Sequence, residues 1–266
     1  MAGADRGGRR PLPWAVLGVV LAGWLLVSGL VGIYMGVIRT TPGLRDVPTV
    51  RADLIAPHLA GLVAVLVATA LWGRWRDVWR EPRDVHPAWW AVPVLVLAGA
   101  AATTDVPALA SAPAGVAAAL VVACALAALD TEVVLRGVAL VALRERWPEP
   151  AAALGTVLLS GAVEVLTGPG TPATRAVVGA ATGVLLYAAR RVGGGLALPV
   201  VLHAAVDLAL WSHAVGESAE QVPGTGVQVL GLAALALAVV AVSRYGGLPR
   251  PPSGLRRRRP SGPSRG

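Results

Sequence analysis

The polar residues of this chain gather in short stretches between long apolar blocks. The blocks lack the regular stripe of charge that a soluble helix carries on its outer face. A helix needs about 20 apolar residues to cross a bilayer, and eight blocks meet or approach that length. They run from Trp14 to Ile38 and over 54–73, 89–104, 113–140, 151–167, 174–189, 196–214 and 225–243. The third lies near the lower limit of length. The first is too long for the apolar part of a signal peptide and is expected to be a retained span. The pattern predicts an all-α polytopic membrane protein of about eight transmembrane helices.

Composition strengthens that expectation. Of 266 residues, 55% are hydrophobic and 14% charged, with a mean hydropathy of +0.66. A soluble domain of this length needs more polar surface to cover its core. Lysine, phenylalanine and asparagine are absent, so all 23 basic residues are arginine. The missing residues share A/T-rich codons, which points to the coding bias of a G/C-rich bacterial genome. Cys124, the single cysteine, sits in an apolar run and reads as a small buried hydrophobe that forms no disulfide within the chain.

An isoelectric point near 11.2 raises nucleic acid as a partner. The arginines instead cluster in loops beside the apolar spans, where they act as topology signals, so nucleic acid is not expected. Arg6, Arg9 and Arg10, the loop of Arg74, Arg76, Arg80 and Arg83, Arg144 with Arg146, Arg190 with Arg191, and the C-terminal tail all fall on one side. That side is expected to be cytoplasmic, with both termini on it, in a multi-pass protein of the cell membrane. Only the first outer loop, with Arg39, Arg45 and Arg51, breaks the rule. Trp72, Trp75, Trp89, Trp90 and Trp147 fall near span ends, where indole rings favour the interface. Gly32 with Gly36 and Gly179 with Gly183 offer faces for close helix packing.

The chain divides into a basic cytoplasmic N-terminus (1–12), N-terminal transmembrane helices (13–105), a transmembrane core (106–245) and a disordered basic cytoplasmic tail (246–266). The tail, with Arg256 to Arg259 among Pro, Ser and Gly, acts as a positive-inside anchor, or holds anionic lipid at about 1 kcal/mol per arginine.

Ionisable groups inside a bilayer are costly and mark function by default. They fall at Asp130, Glu132 and Arg136 in the fourth span, Glu164 in the fifth, and His203 with Asp207 in the seventh. Glu132 and Arg136 are four apart, on one helical face, where they can pair. His203 and Asp207 share that spacing, which suits a hydrogen-bonded pair or two ligands of one metal ion. The fourth and seventh spans run in opposite directions, and Glu132 and His203 each lie about two turns, or about 10 Å, from the cytoplasmic edge. A carboxylate and an imidazole at one depth can activate water. The plain alternative is that these groups only neutralise one another and fix helix register.

The run Thr131-Glu132-Val133-Val134-Leu135-Arg136-Gly137 resembles the first motif, Glu-Glu-x-x-x-Arg, of the CPBP family. That family comprises type II CAAX prenyl endopeptidases and bacteriocin-processing or self-immunity (Abi-like) membrane proteases. His203-Ala204-Ala205-Val206-Asp207 resembles its third motif, His-x-x-x-Asn, and the lead-in from Gly195 to Leu202 is also similar. The resemblance spans about residues 110–215. The family's first glutamate aligns with Thr131, its second-motif Phe and His with Glu164 and Gly168, and its terminal Asn with Asp207.

The resemblance implies a centre in which Glu132 or Glu164 activates water, Arg136 orients the glutamate, and His203 shares the proton or binds a metal such as zinc together with Asp207. Glu164, one turn before Gly168, directs a carboxylate toward the position that the family gives to histidine. The implied function is an intramembrane endopeptidase acting on a membrane protein or lipidated peptide, with its catalytic centre altered or lost. The alternative is an inactive membrane scaffold or regulator of a partner protein. A small-solute transporter is disfavoured, because no internal repeat and no paired broken spans are found.

Overall fold

The computed structural model describes residues 12–37, 44, 46–82, 87–167 and 171–215. The expected span 225–243, Arg6, Arg9, Arg10, Arg39, Arg45, Arg83, Gly168 and the basic tail lie outside the described residues. The described residues form helices and two isolated backbone bridges, with no strand among them.

In chain order the helices are α1 (Trp14–Val37), α2 (Val47–Trp72), α3 (Trp75–Trp79), α4 (Ala91–Thr103), α5 (Val106–Ser111), α6 (Ala114–Arg144), α7 (Glu149–Thr167), α8 (Pro172–Gly193) and α9 (Ala197–Ser212). Four of them, α1, α2, α6 and α7, are long and apolar enough to cross a membrane, while α4 and α9 are shorter apolar helices. Val19, Ile33 and Leu71 stand well exposed on the outside, a surface suited to acyl chains. The protein is membrane-embedded.

Local chemistry sets the helix ends. Asp46 caps α2 by accepting from the Thr49 N–H at 2.7 Å, and Pro48 lies in the first turn, where its missing N–H is harmless. This start lies seven residues before the expected span, so Arg51, which broke the charge rule as a loop residue, stands within the helix. Gly73 ends α2 and Gly194 ends α8, both in the left-handed conformation that glycine adopts without steric penalty.

Two of the long helices carry π-helical segments, Arg51–Ile55 in α2 and Val133–Ala139 in α6. Such segments are rare and gather at functional sites, because the wider turn re-aims the side chains around it.

Helix α6 is the hub. It packs against α2, α3, α7 and α9, while α1 packs on α2, α8 on α7, and α4 and α8 on α9. Val133, Val134, Leu135 and Ala139 are fully buried against Leu62, Val65, Val78 and Leu196. Gly179 and Gly183 let α8 approach α7: a Cβ on Gly179 would stand 2.7 Å from the Ser160 carbonyl oxygen. Of the tryptophans expected at the interface, Trp75, Trp90 and Trp147 are exposed, whereas Trp89 is buried against Val92, Leu185 and Val192.

The arginines at one end of the bundle do more than signal topology. Glu81 accepts from Arg144 at 2.7 Å, Arg190 at 3.0 Å and Arg191 at 3.1 Å. Arg190, fully buried, also donates to the carbonyls of Asp77 and Val78 and so caps the end of α3. Arg144 continues to Glu149, which accepts from the Tyr187 hydroxyl. Arg74 pairs with Glu145, whose other oxygen accepts from the Leu12 N–H. Burial raises the pKa of Glu81, but the surrounding guanidiniums outweigh it and hold the carboxyl below the ordinary range.

Candidate functional site

Glu132 closes the regular part of α6 immediately before its π segment, and its side chain is fully buried. Arg136, four residues on and 1% exposed, donates from Nη1 to Glu132 Oε1 at 3.0 Å. The same oxygen lies 2.9 Å from His203 Nδ1 on α9. The antiparallel course of α6 and α9 therefore brings together two residues 71 apart in sequence. On the far side of the ring, Nε2 stands 3.7 Å from Asp207 Oδ1, an ion-pair contact longer than a hydrogen bond.

The bonding of this cluster is lopsided. Glu132 Oε2 and Arg136 Nε and Nη2 are buried with no hydrogen-bond partner among the described residues. Buried polar atoms are nearly always paired, so orphans of this kind mark a place where another polar group is received. A carboxylate with one oxygen fixed by two donors and the other unclaimed is arranged to accept a proton.

The remaining positions expected from sequence are less closely joined. Glu164 on α7 lies within electrostatic reach of His203, Asp207 and Arg175, and makes no hydrogen bond to them. Thr131 is half-buried, and Gly168 lies outside the described residues. A catalytic zinc site takes three protein ligands and a water. Among the described residues no three His, Cys, Asp or Glu side chains converge as ligands of one ion. His203 Nδ1 is already engaged by Glu132, which leaves Nε2 and Asp207 as two donors. Among the described residues that set falls short of a catalytic metal site.

The structure adds a second polar cluster that spacing did not suggest. Asp130, fully buried, accepts from the Trp24 indole N–H at 2.7 Å and meets His58 Nδ1 at 3.1 Å. Trp24 lies on α1 and His58 on α2, so three helices converge on one carboxylate. Gly61 makes room for them: a Cβ there would stand 2.3 Å from Ser28 Oγ and 3.0 Å from Asp130 Oδ2. Asp130 was legible as an intramembrane charge. Its histidine was hidden in an apolar span 72 residues away.

Together these features define a membrane-embedded helical protein in which two buried carboxylates each pair with a partly exposed histidine. The family model described as Rce1-like, type II CAAX prenyl endopeptidase Rce1-like, matches residues 113–209, from the start of α6 into α9. Over those residues, somewhat more than a third of the chain, the protein is similar to that family. No curated protein and no solved structure matches it.

Proposed function

We propose that the protein is an intramembrane peptide hydrolase of the CAAX-protease type whose centre departs from the family pattern. The supporting observation is the state of Glu132: Oε1 is held by Arg136 and His203, while Oε2 is buried and unclaimed. In this reading Glu132 takes a proton from water, and the oxygen of that water adds to the carbonyl carbon of a peptide bond. The C–N bond then breaks as the leaving nitrogen receives a proton. His203 orients the carboxylate and shares its proton, and Arg136 keeps the charge of Glu132 compensated through the cycle.

About eight helices cross the membrane, and the end bearing Glu81, Arg144 and Arg190 is cytoplasmic, with both termini. The substrate is a membrane protein or a lipidated peptide, and the basic tail engages anionic lipid.

The replacement of the family's first glutamate by Thr131 favours a second reading, in which catalysis is lost and the protein serves as a scaffold or regulator of a membrane partner. Cleavage of a transmembrane and of a prenylated peptide by the purified protein in lipid nanodiscs separates the two, with bound metal assayed on each sample. Cleavage abolished by Glu132→Gln and by His203→Ala is the expected result. No cleavage by the unaltered, folded protein establishes the scaffold, whose partner is then sought by crosslinking in the membrane.

A further inference from the structure

Asp130 and Glu132 stand two residues apart on α6, which turns their side chains about 200° apart around the helix axis. Each directs its carboxylate to a different neighbour, Asp130 to His58 on α2 and Glu132 to His203 on α9. Helices α2 and α9 both pack against α6 and make little direct contact with one another. The arc of α6 between them is the one that carries Thr131, which is half-buried while its two acidic neighbours are fully buried.

The two pairs are built alike. In each the carboxylate has no exposed surface and the histidine is the accessible member, at 31% exposure for His58 and 17% for His203. In each, Nδ1 faces the carboxylate; Nε2 of His203 stands beside Asp207, and Nε2 is the ring nitrogen that His58 turns away from Asp130. A π segment adjoins each pair, Arg51–Ile55 shortly before His58 and Val133–Ala139 directly after Glu132.

Asp130 has two partners, and one is a rigid indole that fixes the carboxylate while the carboxylate fixes the imidazole. A histidine oriented by a buried acid is the arrangement used to move protons at a reacting centre.

From this juxtaposition we propose that His58 is the proton donor to the leaving nitrogen, facing Glu132 and His203 across the Thr131 position, with Asp130 and Trp24 as its positioning residues. The proposal rests on the hydrolase reading above. The proton balance closes. Water gives one proton to Glu132 and its oxygen to the acyl carbon, and the C–N bond breaks as His58 Nε2 gives its proton to the amine. Glu132 then releases a proton and His58 regains one through solvent, leaving acid and amine as products.

The test uses the full chain in lipid nanodiscs with a fluorogenic single-span peptide and a farnesylated peptide as substrates. His58→Gln, His58→Ala, Asp130→Asn and Glu132→Gln are compared for kcat, KM and thermal midpoint. His58→Gln is expected to lower kcat by about 10²–10⁴-fold, with KM and midpoint close to the parent. Added imidazole is expected to restore part of the rate of His58→Ala. Asp130→Asn should lower kcat less than His58→Gln, because it misorients the donor without removing it.

If His58→Gln keeps the parental kcat while Glu132→Gln is inactive, this proposal falls and the hydrolase reading stands. If the rate falls only in step with the thermal midpoint or KM, and imidazole restores nothing, His58 is structural and the proposal falls as well. A parent without activity, or a Glu132→Gln protein as active as the parent, overturns the hydrolase reading and this proposal with it.

Discussion

The indole N–H of Trp24 donates to Asp130 at 2.7 Å and so ties the first helix to the middle of the sixth across 106 residues of sequence. Hydrogen bonds between membrane helices contribute about 0.6 kcal/mol on average. This one counts for more, because the acceptor is a buried carboxylate with only one other partner, His58, among the described residues.

Trp24→Phe keeps most of the ring volume and removes the donor. A loss of about 1–2 kcal/mol is expected, read by reversible unfolding in mixed micelles. An unchanged unfolding midpoint would show that the bond contributes nothing.

Arg136 and Glu132 form a pair with almost no exposure, and Arg136 has no other partner among the described residues. Removing one member of a buried pair costs about 3–5 kcal/mol, because the other charge stays behind. Arg136→Met should therefore destabilise strongly, and Arg136→Met with Glu132→Gln should lose less than the sum of the two. Strict additivity in a double-mutant cycle would deny the pairing.

Gly179 sits where α8 crosses α7, and a Cβ there would stand 2.6 Å from that of Glu164. Gly179→Ala is expected to cost about 1–3 kcal/mol through overpacking. Gly18→Ala is the control, since nothing lies within 4 Å of the added methyl. Equal unfolding midpoints for the two variants would remove the close crossing as an explanation.

Glu81, in the loop after α3, has its pKa held below the ordinary 4.5 by the guanidiniums that outweigh its burial. A depressed carboxyl pKa means that the folded state favours the ionised form. Its stabilisation is complete above the unfolded value and is lost as pH falls through the lower, folded one. Unfolding followed from pH 7 downward should therefore show stability declining below about 4.5. Glu81→Gln should be less stable at pH 7 by about 3 kcal/mol or more and show a flatter acid limb. A variant with the parental acid limb would remove Glu81 as its source.

Much of the helical plan was legible because membrane spans announce themselves by length and apolarity, as α1, α2, α6 and α7 show. The Glu132–Arg136 pair was legible because a spacing of four is local information. The approach of His203 to Glu132 was legible because the two residues lie at one depth on antiparallel helices. His58 was not legible: it lies within an apolar span, and its partner is set by how α2 packs on α6, which no local spacing encodes. Nor was the role of Arg190. A loop arginine and a fully buried one look alike in sequence, and only the fold places carbonyls of α3 and the Glu81 carboxylate around the guanidinium.

The bond from Arg190 to Glu81 spans 109 residues, and that span has a meaning for biogenesis. At a synthesis rate of about 5–20 residues per second, Glu81 leaves the ribosome roughly 5–20 s before its partner does. Through that interval α3 lacks its cap, while Arg144, made 63 residues after Glu81, can engage the carboxylate first. The arrival of α8 then closes this end by adding Arg190 and Arg191 to the same carboxylate.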